Sequence, residues 1–191
     1  MKKAFAALLA LASTTVVEAQ LGTTAYYGIA LGSFDYEENS DAFFTGWNDT
    51  ADSWRVMVGY HFTEHLAVEG GYGKTGTVAG TAVQASPFGD IDLAVTREFK
   101  SLIVRLLGVL PFDNGVSLLG GIGYADGEED LTLSTAMFGT QSGDLSLSEP
   151  TLFAGAQYDW DRVALRLGYE KYDLEGDRDA SEVTLSFFYK L

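Results

Sequence analysis

The stretch "SEVTLSFFYKL", residues 181–191, closes the chain. From Val183 onward every odd position is apolar: Val183, Leu185, Phe187, Tyr189 and Leu191. The even positions hold Glu182, Thr184, Ser186, Phe188 and Lys190. A period of two with unlike faces predicts a β-strand. A strand this apolar at the very end of a chain raises two questions: what covers its oily face, and what pairs with its edge.

The same alternation recurs upstream. In "TAYYGIALGS" Ala25, Tyr27, Ile29 and Leu31 oppose Gly28, Ala30 and Gly32. In "SWRVMVGYHF" Trp54, Val56, Val58, Tyr60 and Phe62 oppose Arg55, Met57, Gly59 and His61. "LAVEGGYGK" sets Leu66, Val68 and Tyr72 against Ala67, Glu69, Gly71 and Gly73. "VSLLGGIGYA", "TLFAGAQYDW" and "VALRLGYEKY" repeat the habit, the last with Val163, Leu165, Leu167 and Tyr169 against Ala164, Arg166, Gly168 and Glu170. "KSLIVRLLGVLPF" is apolar on both faces, so alternation leaves its phase open, with Leu102, Val104, Leu106 and Leu110 on one side and Ile103, Arg105, Leu107 and Val109 on the other. With the terminal segment this makes eight strands.

Connections alternate in length. Thr63-Glu64-His65, Asp113-Asn114-Gly115 and Asp161-Arg162 are tight, and Asn-Gly is a strong hairpin signal. Long polar stretches at 36–52, 75–95, 126–148 and 174–181 separate the pairs. Short turns at one end and long loops at the other predict an antiparallel meander.

The bulky apolar face opposes a face of glycines and charges: Arg55, Glu69, Arg105, Arg166, Glu170 and Lys190. Charges do not fill a dry sandwich core unless closely paired. The inverse arrangement is stable in lipid: apolar residues outward, small and polar residues lining a closed ring. Eight strands enclose an interior just wide enough for side chains. The glycines Gly28, Gly32, Gly59, Gly71, Gly73, Gly121, Gly123 and Gly168 leave room for long charged ones. In lipid the last strand must pair with the first, because an open edge leaves backbone groups unsatisfied. The expected fold is thus all-β, an eight-stranded antiparallel transmembrane up-and-down β-barrel. A lipocalin-like soluble barrel is the competing fold, and it would have to point the small, charged face outward. Tyr60, Phe62, Phe112, Tyr158, Trp160 and Tyr189 gather near the short turns, where an interfacial aromatic girdle belongs.

At the other end, "MKKAFAALLALASTTVVEAQ" has two lysines, an apolar run and a small-residue site at Val17-Glu18-Ala19. This is the layout of a cleaved signal peptide over 1–19, leaving a barrel domain at 20–191. About 170 residues amount to one domain. The chain has no cysteine, so disulfide and thiolate chemistry are excluded. Glycine (22) far exceeds proline (3), a balance that suits strands and turns. The formal charge of −15 becomes −16 when Lys2, Lys3 and Glu18 leave with the signal. Nucleic acid is not an expected partner, because phosphate binding needs a basic surface.

"VGYHFTEHLAVEGGYGKTG", "LPFDNGVSLLGGIGY" and the terminal "VTLSFFYKL" together resemble the small eight-stranded barrels of Gram-negative outer membranes, the OmpA membrane-domain and OmpX-like porin family. The resemblance spans about residues 22–191. It implies an integral protein of the bacterial outer membrane, a plug of buried interior ion pairs rather than a wide pore, contact with outer-membrane lipids and lipopolysaccharide, and a monomer. It also implies that Phe187, Tyr189 and Leu191 form the C-terminal signal read by the barrel-assembly machinery, although the family usually ends in Phe or Trp. The soluble peptidoglycan-binding domain that follows the barrel in OmpA has no counterpart here, so cell-wall tethering is not carried over.

Three functional readings follow. The first is a non-enzymatic barrel with a structural or surface-contact role. Its six inner charges would form a self-neutralising plug, helped by Asp159 and Glu182. The second is a narrow porin using those charges as a selectivity lining. The third is a lipid A-modifying enzyme, which needs a Ser/His/carboxylate cluster at the loop end, whereas His61 and His65 fall at the short-turn end. No catalytic residue, cofactor or resident metal is expected. Acids crowd the loops, and Glu128, Glu129, Asp130, Asp173, Asp177 and Asp179 are candidates for weak divalent-cation binding. "DGEED" and "DLEGDRD" lack the full Ca²⁺-loop spacing, and a solvated acidic surface is the simpler reading. Phe43, Phe44 and Trp47 are expected to pack on the barrel rim or to extend strands beyond the membrane, with an adhesive contact as the alternative.

Overall fold

The computed structural model describes residues 24–38, 47–84, 91–135, 139–174 and 178–191. The expected signal peptide, Phe43, Phe44 and Asp177 lie outside them. Nine strands follow in order: β1 (Thr24–Glu38), β2 (Trp47–Thr63), β3 (Leu66–Thr75), β4 (Val78–Gln84), β5 (Ile91–Pro111), β6 (Val116–Thr135), β7 (Gly139–Trp160), β8 (Val163–Tyr172) and β9 (Arg178–Lys190). All neighbours are antiparallel, and the ring runs β1-β2-β3-β5-β6-β7-β8-β9 and back to β1. β4 is not a ninth stave. It continues β3 along β5 after Gly76-Thr77, so that β5 pairs with β3 from Leu66↔Gly108 to Lys74↔Lys100 and with β4 from Val78↔Arg97 onward.

The terminal strand finds its partner at the start of the chain. β9 pairs with β1 from Tyr26↔Lys190 to Glu38↔Arg178, and the Leu191 N–H donates to the Ala25 carbonyl at 2.9 Å. The seam satisfies the backbone of both end strands, as a lipid surrounding requires.

The tight turns are where the sequence puts them. At Phe112–Val116, Gly115 takes φ +81° and the Asn114 side chain accepts from the Val116 N–H at 3.1 Å. Asp161 carries φ +53° in the β7–β8 turn, a conformation that Asp tolerates better than most residues.

The long connections differ from expectation. Much of 75–95 and 126–148 is strand: β4, the start of β5, and the continuous β6–β7 ladder up to Thr135↔Gly139. These segments were read as loops because their outer face is polar. Above a membrane the outer face meets water, so the apolar alternation fades while the backbone ladder continues. Trp47 likewise opens β2, opposite Glu38.

Side-chain direction matches the expected phase on every stave, including the ambiguous β5: Ile103, Leu107 and Val109 are buried while Val104, Leu106 and Leu110 face out. The outward apolar band includes Ile29, Leu31, Val56, Val58, Leu118, Ile122, Leu165, Leu167 and Leu185. Phe62, Phe112, Tyr158 and Trp160 rim it at the short-turn end. A second girdle, not anticipated, rims it at the other end with Trp54, Tyr72, Tyr124 and Tyr169, the first two meeting edge to face with centroids 6.2 Å apart. The soluble alternative, with the charged face outward, is thereby overturned.

Cysteines placed at Ala30 and Ser186, which face each other across the β1–β9 seam inside the barrel, should form a disulfide in this cysteine-free chain. Non-reducing gels before and after thiol reduction check the seam; a free thiol titre of two in the folded protein would contradict it.

Candidate functional site

The barrel interior is organised in layers. At the short-turn end Lys190 pairs with Asp159 at 2.5 Å, and Gln157 donates to the same carboxylate. Above it lie Tyr26, Phe188, Ala67, Leu107, Leu119 and Phe153, all buried. Tyr26 fills the space that a side chain at Gly59 would occupy, and Phe188 does so at Gly28. With Gly168, which lies against the Phe153 ring, three of the eight expected inner glycines therefore make room for aromatic rings rather than for charges.

The middle layer is a buried cluster of Arg55, Arg105, Arg166, Glu69, Glu170 and Glu182. Glu69 on β3 faces Arg105 on β5 in register, and Arg105 Nε donates to it at 2.7 Å. Arg166 Nη1 reaches the other Glu69 oxygen at 2.5 Å, and its Nε donates to Gln157 at 2.9 Å. Tyr26 completes Glu69 with a hydroxyl at 2.6 Å. Glu170 and Glu182 stand directly opposite each other on β8 and β9. Two like charges so placed would repel, and Arg55 resolves the conflict by spanning both: Nη1 to Glu170 at 2.7 Å, Nη2 to Glu182. Ser53, Thr151 and Tyr172 hydroxyls occupy further carboxylate lone pairs. The guanidiniums also lie over rings, Arg105 at 4.0 Å from the Phe153 centroid and Arg166 at 4.3 Å from that of Phe188. Phe153 in turn rests on Gly168, where an added Cβ would come within 2.7 Å of the ring.

Three arginines against three glutamates make the layer neutral, and each charge has a partner within the cluster. This is the condition under which buried ions are tolerated. Five of the six expected inner charges thus converge: Arg55, Glu69, Arg105, Arg166 and Glu170. Lys190 does not. It stays about a quarter exposed with Asp159 at the lumen mouth, because its position on β9 falls at the level of the turns.

Above the ions sits an apolar layer. Phe34 packs on Phe99 (5.1 Å between centroids) and on Tyr172 (5.7 Å), with Leu147 and Leu174 around them. The cavity where this layer meets Ser53, Thr75 and Glu182 measures about 20 Å³, room for about one water.

A second ion layer, unexpected, closes the outer end. Arg97 on β5 binds Glu129 on β6 and reaches Glu38 on β1 at 2.7 Å, while Arg178 on β9 donates to Glu129 at 3.1 Å. It bridges the β9–β1 and β5–β6 halves above the apolar band and is again neutral. The sequence places Glu38, Glu129 and Arg178 in long polar stretches and Arg97 outside any strand, so none of them is assigned an inward face. The alternation that includes Arg97, Phe99, Ile103 and Arg105 on one side of β5 was the available signal.

The described acids named as candidate cation ligands lie apart. Glu129 points inward and is buried between two arginines. Glu128 is exposed on the opposite face. Asp130 pairs with Lys100 at 2.5 Å and Asp179 with Lys171 at 3.3 Å. Asp173 is exposed at the end of β8. Among the described residues no three acidic or histidine side chains converge as metal ligands. Glu182, expected to help neutralise the inner charges, lies buried in the lumen. His61 packs on Tyr26 (5.2 Å) and His65 contacts the Val109 carbonyl (3.3 Å), both at the short-turn end as expected.

On the outer face above the second girdle, the hydrogen bond from Lys100 holds the Asp130 carboxyl below its usual range, and Lys74 with Thr77 does the same for Glu98. A depressed folded-state pKa adds stability that is present above the unfolded pKa and lost as pH falls through the folded one. Side-chain carbonyl NMR should show both titrating low, and Lys100→Ala should return Asp130 toward the ordinary value.

Replacing Arg55 by Met strands Glu170 and Glu182 opposite each other. It should destabilise the barrel by about 3–5 kcal/mol, read as a lower urea midpoint in lipid vesicles. Ser181→Ala on the outer face serves as the control.

Comparison with known proteins places the chain. No curated protein matches it significantly in sequence. Among solved structures, Neisserial surface protein A aligns with a TM-score of 0.61 at 12% identity over 89% of this chain and 99% of its own. Ail, the attachment invasion locus protein of Yersinia pestis, aligns with a TM-score of 0.57 at 17% identity over 90% and 100%. OprG of Pseudomonas aeruginosa aligns with a TM-score of 0.50 at 12% identity over 90% and 97%. At these identities the likeness is one of fold. The outer membrane protein beta-barrel domain matches residues 4–190, and with a closed eight-stave ring, an apolar band and two aromatic girdles in place, the chain belongs to that family of integral outer-membrane barrels.

Proposed function

We propose that this outer-membrane protein is a closed, non-enzymatic barrel that holds an acidic, strand-built platform at the cell surface, for envelope structure or surface contact. The observation that carries this reading is the lumen: a fully partnered ion layer, an aromatic layer and a second ion layer stacked in series, with space for about one water between the first two. The position of both histidines at the short-turn end supports a non-enzymatic role, since chemistry on lipid A belongs at the outer leaflet.

The outward Lys74, Lys100 and Lys171 stand just above the Trp54–Tyr72–Tyr124–Tyr169 girdle, at a level that suits the anionic headgroups of lipopolysaccharide. Phe187, Tyr189 and Leu191 face outward on the last strand, which supports their reading by the barrel-assembly machinery. A ring has no free edge within the band, which supports a monomer. Ail was solved in complex with sucrose octasulfate, a heparin analogue; the acidic platform here disfavours a polyanion of that kind.

Refolded protein in a planar bilayer should be silent. Stable conductance steps from protein verified as folded, altered by Arg105→Ala, would replace this reading with a narrow porin.

A further inference from the structure

The lipid-facing wall has a gap near the short-turn end. Gly108 on β5 and Gly120 on β6 stand directly opposite each other, in the outward phase of Leu106, Leu110, Leu118 and Ile122. A Cβ added at Gly120 would meet no atom within 4 Å, and one at Gly108 would meet only the Gly120 carbonyl, at 3.6 Å. The inner glycines differ: a Cβ at Gly28 or Gly59 would strike Phe188 or Tyr26. Glycine inside a strand costs stability relative to alanine, and at this outer pair no side chain of the barrel fills the space in return. The result is an apolar groove of about 440 Å³, walled by Leu110 and Leu118 and reaching His65 at its mouth.

The mouth is polar and lies at the level of the periplasmic leaflet. The Val109 N–H donates to the His65 carbonyl at 2.9 Å, which fixes the β2–β3 turn beside β5. His65 Nδ1 faces the Val109 carbonyl at 3.3 Å, and Nε2 meets Glu64 at 3.3 Å, with both side chains largely exposed. Asp113, on the β5–β6 turn beyond Leu110 and Leu118, is exposed as well. Neither turn carries a lysine or an arginine. An anionic headgroup there meets two carboxylates. An ammonium group meets two acceptors, and the His65 ring presents a nitrogen to a phosphate. Deeper in, the side chains are apolar and the β5 and β6 backbones pair with each other, so only hydrocarbon suits the groove. A second copy of this barrel would bring its own Glu64 and Asp113 against these, which charge disfavours.

We propose that this groove is a binding site for one phospholipid with an ethanolamine headgroup, an acyl chain lying over Gly108 and Gly120, the phosphate at His65 and the ammonium between Glu64 and Asp113. The site is on the membrane wall and is independent of the role of the acidic platform. Lipid tails are as apolar as leucine, so hydrophobic burial does not hold the molecule in place. The hold comes from packing of the chain into the groove and from the headgroup contacts. Ethanolamine brings N–H donors to the two carboxylates, as a lysine ammonium would; choline has none to bring.

The test equilibrates refolded protein in nanodiscs holding phosphatidylethanolamine, phosphatidylglycerol and phosphatidylcholine in equal parts and with the same chains. The protein is then released into mild detergent and weighed by native mass spectrometry. One retained phosphatidylethanolamine per barrel is expected. Gly120→Leu fills the groove and should abolish the adduct, with folding verified by gel mobility. Glu64→Gln combined with Asp113→Asn changes only exposed turns and should lower the preference for phosphatidylethanolamine over phosphatidylglycerol by about threefold or more. Gly143→Leu, on the platform where an added Cβ also meets no atom within 4 Å, should change neither result. Barrels that retain no lipid, or retain the three lipids alike, overturn the proposal. So does an adduct that survives Gly120→Leu, or a preference unmoved by the double turn variant. A wild-type dimer that Gly120→Leu abolishes overturns it in favour of a second copy.

Discussion

Every backbone N–H and C=O within the apolar band must find its partner inside the protein, because lipid offers none. The ring closure between β1 and β9 follows from that constraint, and much else follows from the closure. Once the sheet is a cylinder, alternate side chains are committed to lipid or lumen. An eight-stave lumen is too narrow to be left to bulk water. Charges that enter it must therefore neutralise one another, and the three arginines and three glutamates of the middle layer do so.

The layers differ in what they do. Buried ion pairs are weak evidence for stability, since desolvation offsets most of the attraction. Their geometry is demanding, however, and this gives them a second effect. Arg55 reaches from β2 to β8 and β9, and Arg166 from β8 to β3, so the cluster ties together staves that are not neighbours in the ring. The layer above it seals the lumen mainly with rings, with the buried Glu149 of β7 at the same level. The Arg97–Glu129 layer ties the strand extensions beyond the membrane, where the ring no longer closes between β7 and β8.

That difference between a closed band and a split platform is where the functional reading rests. Within the membrane no edge is available to a partner. Above it, the β4–β5–β6–β7 sheet continues without β8, and its surface is acidic. The proposed role draws on both: the filled lumen supports a closed barrel, and the acidic platform supports surface contact.

Much of this was legible in the sequence. A period of two, repeated in eight segments, determined the number of staves and which residues face lipid; the alternation of short and long connections determined their antiparallel order; the glycine-and-charge face determined that the lumen is polar. Arg55, Glu69, Arg166 and Glu170 were identified from phase, and Arg105 by its charge on a strand whose phase alternation left open. Tertiary structure decided the rest, because alternation gives a direction and not a height along the barrel axis. Height separates Lys190 from the central cluster, sets Arg55 between Glu170 and Glu182, and turns Glu129 from a solvated acid into a buried one. The strands beyond the membrane were hidden for a related reason: there both faces can be polar, so pairing leaves no hydrophobic trace in the sequence, and only the ladder of backbone partners shows where the sheet continues and where its edge is left open.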